Sequence, residues 1–150
     1  MSDIVKPGLE GVYAGETSIC AVRAEEDKLI YRGYDVHDLA EEASFEEVAY
    51  LLLRKKLPTH LELKDFDRQL KADRELAPEI LKSLRRLPTH GPAMDTLRAA
   101  VSILGLYDPE LRDNSPEANL RKAIRLLARV STVVAALHRY SQGLDALPPK

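Results

Sequence analysis

The pattern of hydrophobic and polar positions changes character near Gly33. Before it, two short runs rich in β-branched and apolar residues, Thr17 to Val22 and Leu29 to Tyr31, flank an acidic turn at 25–28. Such runs around a polar turn predict two paired strands. After Gly33 the apolar residues recur at helical spacing. The pattern therefore predicts a mainly α-helical fold that is preceded by one small β-hairpin.

Polar residues that cap helices stand at four points along the helical part. They are Asp35, Ser44, Thr59 and Ser115. Their side-chain oxygens can accept a hydrogen bond from the free N–H groups of a first helical turn. Ser44 and Thr59 are each followed three residues later by a glutamate, Glu47 and Glu62, which is the spacing of a capping box. We therefore expect helices to begin directly after these residues.

Three helices are predicted between Ser44 and Pro88, and their apolar patterns differ. The first carries apolar residues from Val48 to Leu53 on nearly every side, so we expect it to be buried in the core. The second, from about His60 to Glu75, has one narrow apolar stripe and should lie on the surface. The third runs from Pro78 to about Arg86 and ends before the next proline.

An apolar ridge marks the next helix. Met94, Leu97, Val101 and Leu104 recur at helical spacing, and the helix should end near Gly105. Alanines and a serine between these positions keep the helix slim, so a neighbouring helix can approach closely.

The longest helix is predicted from the cap Ser115 to the terminating Gly143. In its first half, Arg121, Arg125 and Arg129 recur every four residues and predict a solvated basic face; phosphate binding by this stripe is the less favoured interpretation. From Val130 to Leu137 no charged residue occurs. A stretch with no charge on any face must be enclosed by protein, and in a chain of this size that favours packing against a second chain as well.

Composition excludes several classes of protein. The 150 residues are 45% apolar and 31% charged, and 22 Lys and Arg against 24 Asp and Glu give a net charge of −2. This balance predicts an ordinary globular domain over 1–150, with an arm and hairpin at about 1–33 and helices at about 35–143. It argues against nucleic-acid binding. A single cysteine, Cys20, fits a reducing cytoplasmic compartment, and no apolar stretch is long enough for a signal core or a membrane span.

The sequence by itself offers no active site. The four histidines, His37, His60, His90 and His138, lie at no metal-ligand spacing to one another, so we expect no metal site. His138 could act in chemistry, but a histidine near a helix C-terminus is also what the helix dipole favours, and the structural interpretation is preferred. No nucleophile elbow, phosphate-binding glycine loop or dinucleotide fingerprint occurs.

Five ordered blocks resemble the citrate synthase family, including the similar 2-methylcitrate synthases. The blocks are Gly8-Leu9-Glu10-Gly11-Val12 with Gly15-Glu16-Thr17-Ser18-Ile19, Leu29-Ile30-Tyr31-Arg32-Gly33-Tyr34-Asp35, Phe45 to Leu52 with Leu57-Pro58-Thr59, Met94 to Ser102, and Arg139-Tyr140-Ser141-Gln142-Gly143. The resemblance implies the N-terminal, helical-bundle-like portion of the family's large domain. The whole enzyme would condense acetyl-CoA with oxaloacetate to citrate and CoA in the tricarboxylic acid cycle, without metal or cofactor.

The resemblance also implies which parts of such an enzyme this chain does not carry. The family is more than twice as long, and its two catalytic histidines, its aspartate and its carboxylate-binding arginines lie beyond the point that matches Lys150. We therefore expect no catalytic or substrate-binding residue here, and no activity from this chain alone. The choice between oxaloacetate and another acceptor, or acetyl-CoA and propionyl-CoA, stays open.

A twofold dimer is the assembly that the resemblance implies. The segments at about Pro92 to Gly105 and Ser115 to Gln142 match two helices that pair with their mates in the family. The expected interface residues are Met94, Leu97, Val101, Leu104, Ile124, Leu127, Val133, Val134 and Leu137. The chain would then be a fragment, a truncated product or one subunit of a split enzyme whose partner carries the catalytic segment. The alternative is a non-catalytic dimerisation or regulatory remnant.

Overall fold

The computed structural model describes residues 15–88 and 90–149. Contacts divide the chain after Pro58 into two units. The expected N-terminal arm lies, up to residue 14, outside the described residues.

A three-stranded antiparallel sheet opens the described part of the first unit. Strands β1 (Cys20–Arg23), β2 (Lys28–Tyr31) and β3 (Tyr34–Asp35) follow one another in space as in sequence, with Ala21 opposite Ile30 and Tyr31 opposite Tyr34. The predicted hairpin is thus confirmed. The short third strand was not predicted. It follows a two-residue turn in which both Arg32 (φ 49°) and Gly33 (φ 96°) have positive φ, so the chain reverses directly after β2.

Helices α1 (Val36–Glu42) and α2 (Phe45–Arg54) complete the first unit. Both begin where the caps predict: the Asp35 side chain accepts from the His37 N–H at 2.9 Å, and Ser44 and Glu47 form the expected capping box. α2 departs from its predicted complete burial. Leu51 and Tyr50 are buried, but the other four apolar positions between Val48 and Leu53 are only half-buried.

Within the described part of the second unit, four helices follow Pro58. They are α3 (His60–Asp73), α4 (Pro78–Arg85), α5 (Ala93–Leu106) and α6 (Pro116–Ser141). Each of these helices begins and ends within a few residues of its predicted bounds, and the caps Thr59 and Ser115 are confirmed. α6 ends as expected at Gly143, whose φ is 72°; the Leu144 N–H donates to the Arg139 carbonyl at 2.9 Å and closes the helix.

The core of the second unit forms where α4, α5 and α6 meet. Its buried side chains are Leu76, Ile80, Leu84, Ala100, Leu104 and Val133. The small Ala100 lies at the point of closest packing and is fully buried, as the slim face of α5 predicts. α3 lies against α6 and buries only Phe66 and Leu70, which confirms its narrow apolar stripe. Neither α6, with 26 residues, nor any other described helix is apolar enough over enough length to cross a bilayer.

Candidate interaction surface

An apolar groove of about 540 Å³ runs between the end of α4, the start of α5 and the last turns of α6. Its lining residues are Leu84, Leu87, Gly91, Ala93, Met94, Thr96, Leu97, Val134, Leu137, His138, Tyr140 and Ser141. Nearly all of these side chains are apolar or neutral. The groove is therefore suited to bury another apolar surface rather than to bind a charged ligand.

The helical period of α6 explains why this groove is apolar and open. Consecutive residues of an α-helix point about 100° apart, so Val133 and Val134 face different surroundings. Val133 is fully buried in the core, whereas Val134 is 47% exposed and lines the groove. Ala136 repeats the buried position, and Ala135 is exposed. The expectation that Val130 to Leu137 is enclosed on every side is thus not met within the described chain, because one face of this stretch has no cover.

The residues expected at a subunit interface fall into three groups. Met94 and Val134 are exposed, at 73% and 47%. Leu97, Val101, Leu127 and Leu137 are half-buried. Leu104, Ile124 and Val133 are buried by this chain itself, so they stabilise the surface from beneath and offer no area to a second chain.

Groups for acid–base or metal chemistry are not gathered at this surface. His37, His60, His90 and His138 are all exposed, and only His138 lines the groove. Within residues 15–88 and 90–149, no three or more His, Cys, Asp and Glu side chains come together in a way that could hold a metal ion. The groove therefore presents mainly packing surface.

The arginine stripe of α6 is only in part the solvated face that its spacing predicts, since Arg121 is exposed but Arg125 and Arg129 are half-buried. The guanidinium of Arg125 donates to both carboxylate oxygens of Asp108, at 2.9 and 2.7 Å, and to Glu110 at 2.8 Å. Arg121 donates to Glu110 as well, and the Arg129 Nε donates to the Asp73 carbonyl at 3.1 Å. The Arg125 side chain is consequently only 16% exposed. The stripe fastens the α5–α6 loop and the end of α3 to α6.

Sequence reasoning missed the acidic partners of this stripe, which lie in the α5–α6 loop. Asp108 and Glu110 flank a proline directly after α5, and the Asp108 side chain also accepts from the Glu110 N–H at 2.9 Å. Two carboxylates two residues apart, followed by arginines four residues apart on a helix, are a charge pattern that could have indicated the pairing.

The ion-paired carboxylates are strongly biased toward the charged form. Hydrogen bonds from Arg121 and Arg125 lower the pKa of Glu110 to about 2. Burial raises the pKa of Asp108, but the hydrogen bonds from Arg125 and from the Glu110 N–H outweigh burial and leave that pKa below its usual range. Both carboxylates are therefore ionised at neutral pH.

Comparison with known proteins gives matches over nearly the whole chain. The family model described as "Citrate synthase, C-terminal domain" matches residues 8–150. The citrate synthase of Deinococcus radiodurans is 39% identical over 150 residues, which is 100% of this chain and 40% of that protein. The 2-methylcitrate synthase of Mycobacterium tuberculosis is 41% identical over 145 residues, 97% of this chain and 36% of that protein.

Solved structures of citrate synthases have the same fold as this chain. The enzyme from Pyrobaculum aerophilum superposes with a TM-score of 0.86 at 35% identity, over 95% of this chain and 38% of that one. The enzyme from Thermotoga maritima gives a TM-score of 0.80 at 37% identity, over 95% of this chain and 37% of that one. The chain thus spans about two fifths of the length of the relatives it matches.

Proposed function

Because the chain belongs to the citrate synthase family, we propose that it serves as the N-terminal, helical portion of a citrate-synthase-type acyltransferase. The complete enzyme would condense acetyl-CoA with oxaloacetate, giving citrate and CoA. The catalytic segment would be supplied by polypeptide other than these 150 residues. The lone cysteine of the chain fits action in the cytoplasm.

This proposal rests on one observation: the match covers all of this chain but less than half of the related protein. The match extends over 100% of the chain but 40% of the Deinococcus protein. Condensation needs a base to remove a proton from the acetyl methyl group and acids to stabilise the enolate. The four histidines of this chain are all exposed. In this proposal, the chain builds part of the scaffold of the enzyme, and the acid–base groups come from the rest of the polypeptide.

The second part of the proposal is that the groove between α5 and α6 is where two copies of this chain pair about a twofold axis. Met94 and Val134 supply exposed apolar area, and Leu97 and Leu137 supply half-buried area beside them. Exposed apolar surface contributes about 25 cal/mol per Å² when it is removed from water. A groove that repeats on each copy is suited to an isologous contact.

Reconstitution tests the enzymatic proposal. We would express this chain together with a second polypeptide, the part of the Deinococcus radiodurans citrate synthase that it does not cover. Thiol release from acetyl-CoA in the presence of oxaloacetate should exceed the buffer rate only when both polypeptides are present. A Leu84→Asp variant serves as the negative control, because it places a charge at a core position that is 1% exposed.

Two outcomes would count against this assignment. Turnover by the 150-residue chain alone would show that it carries a catalytic centre. A stable but inactive complex of the two polypeptides would favour the alternative, a dimerisation or regulatory module that has kept the packing surfaces of the family without its chemistry.

A further inference from the structure

A second cavity, of about 430 Å³, lies within the first unit, beside the sheet and the C-terminal end of α2. Its lining residues are Thr17, Ser18, Ile19, Cys20, Ala21, Ile30, Arg32, Gly33 and Lys55. The described lining contains two cationic side chains and two hydroxyl groups, and no carboxylate. Its chemistry is thus the opposite of the apolar groove on α5 and α6.

Arg32 is the central cation of this cavity, and its charge has no counter-ion among the described residues. One terminal nitrogen donates to the Ser18 carbonyl at 3.1 Å and to the Ser18 hydroxyl, and the other donates to the Leu52 carbonyl at 3.2 Å. The Nε atom is buried and has no hydrogen-bond partner. All of these acceptors are neutral, so they position the guanidinium without neutralising it.

Lys55 adds a second positive charge to the same cavity. It is the C-cap of α2, with a φ of 69° that turns the chain away from the helix, and its side chain is exposed. By contrast, the arginines that contact the α5–α6 loop are paired with Asp108 and Glu110. The concentration of unneutralised cations beside the sheet is therefore a distinct feature of the described chain.

We propose that this cavity binds a small oxyanion, the phosphate or carboxylate group of a low-molecular-weight ligand. An oxyanion would accept a charge-assisted hydrogen bond from the exposed Lys55, beside the positive charge of Arg32 that the neutral acceptors hold in place. The hydroxyls of Thr17 and Ser18 add neutral donors, and Ile19 and Ile30 form apolar walls for the body of the ligand. The proposal does not depend on the proposed acyltransferase function.

The test uses the full 150-residue chain and two probes, inorganic phosphate and malonate, at constant ionic strength set with chloride. Isothermal titration calorimetry should show saturable binding of at least one probe, with one site per chain. Cys20 locates the site, because it is the only cysteine and lines the cavity. Its alkylation by neutral iodoacetamide should slow at least threefold at a saturating probe concentration, and half of this decrease in rate should occur at the concentration that half-saturates the heat signal. The two probes distinguish a phosphate group from a carboxylate group.

Variants separate a specific site from general attraction of anions. Lys55→Gln should weaken binding of the anion at least tenfold. Arg54→Gln removes the same charge from an exposed neighbour that does not line the cavity, and it should leave binding unchanged. Arg32→Gln should abolish binding. Because Arg32 also donates to the Leu52 carbonyl of α2, its substitution can affect folding as well. Lys55 is exposed, so Lys55→Gln is the variant that keeps the fold.

Any one of three results would contradict the proposal. The first is that neither probe gives saturable binding, and the second is that a probe binds without protecting Cys20. The third is that Arg54→Gln weakens binding as much as Lys55→Gln does.

Discussion

Arg125 joins the α5–α6 loop to α6 through Asp108 and Glu110, and its removal should be costly. Arg125→Met keeps most of the apolar stem but leaves Asp108 without its main partner and Glu110 with Arg121 alone. The Asp108 side chain is only 11% exposed, so water cannot fully replace the lost hydrogen bonds. We expect the free energy of unfolding to fall by about 2 kcal/mol, measured by urea titration.

Arg98 supplies the matched control for this substitution. It pairs with Asp95 one turn away on α5, but the two side chains are 81% and 59% exposed. An exposed pair of this kind contributes at most about 0.5 kcal/mol, so Arg98→Met should be nearly neutral. Equal effects of the two substitutions would show that Arg125 contributes no more than a surface charge.

Glu110 gives the loop a defined pH dependence. Its pKa in the folded protein is about 2, against an ordinary value of 4.5. A lowered pKa means that the carboxylate stabilises the fold fully above the ordinary value, and that this contribution is lost as the pH falls from about 4.5 to about 2. Urea titrations at pH 7, 4 and 3 should show a steeper loss of stability for the wild type than for Glu110→Gln. Glu75→Gln, at an exposed position, should follow the wild type.

Single residues could be predicted from sequence where their role is local. Ser44 and Thr59 need only their own backbone and a glutamate three residues on, so their pattern determines their contacts. Arg125 has its partners fifteen and seventeen residues away, across a turn whose path no local pattern specifies. Its spacing therefore predicted a solvated face, and that prediction was wrong.

The contribution of the capping boxes of α2 and α3 to stability can be tested by substitution of the cap residues. In each, the cap hydroxyl accepts from the backbone N–H three residues on, at 3.3 Å, and the glutamate accepts from the cap N–H, at 2.8 Å for Ser44 and 2.9 Å for Thr59. Ser44→Ala and Thr59→Ala should each lower the free energy of unfolding by about 1 kcal/mol.

Ser102 provides the comparison for the caps. It lies inside α5, is exposed, and donates to the Arg98 carbonyl one turn back. Alanine is a better helix former there, so Ser102→Ala should be neutral or slightly stabilising. If all three alanine variants behaved alike in thermal unfolding, the caps would contribute nothing beyond helix propensity.

Helices and strands could be predicted best where the residues that determine their bounds are close to them in the sequence. The α-helices carry caps, prolines or glycines at their ends, so their bounds follow from the sequence to within a few residues. Strand β3 has two residues, too few for any alternation to be visible, and its pairing depends on the turn at Arg32 and Gly33. The burial of α2 was overestimated because an apolar pattern shows which side chains favour burial, but it does not show whether the same chain covers them.

Over the whole molecule, the groove beside α5 and α6 predicts self-association. Val134→Asp would place a charge in the middle of an apolar contact without a partner. Because Val134 is 47% exposed in the chain itself, the variant should still fold, and sedimentation velocity should show a dimer for the wild type and a monomer for the variant.

Leu61→Asp is the matched control for this experiment. Leu61 is 73% exposed on α3 and lies outside the groove, so the same change of charge there should leave the dimer intact. A compact wild-type monomer at high protein concentration would contradict the proposed interface.

The groove also marks the limit of sequence reasoning about the whole molecule. The absence of charge from Val130 to Leu137 predicts that this stretch needs cover, and the described chain leaves Val134 and Ala135 exposed. Which residues the chain covers by itself depended on how α4 and α5 approach α6. Leu104, Ile124 and Val133 carry the same apolar signal as Val134, and only their packing distinguishes them.

The carboxylates of the α5–α6 loop share arginine partners, and this constrains which substitutions the sequence can accumulate during evolution. Glu110 accepts from both Arg121 and Arg125, and Arg125 also holds Asp108, so no one of the four can change without altering what the others contact. Substitutions inside such a cluster are strongly non-additive. Among descendants of this chain, we therefore expect the loop acids and the helix arginines to be replaced together, in coordinated steps, while the exposed positions around them vary one at a time.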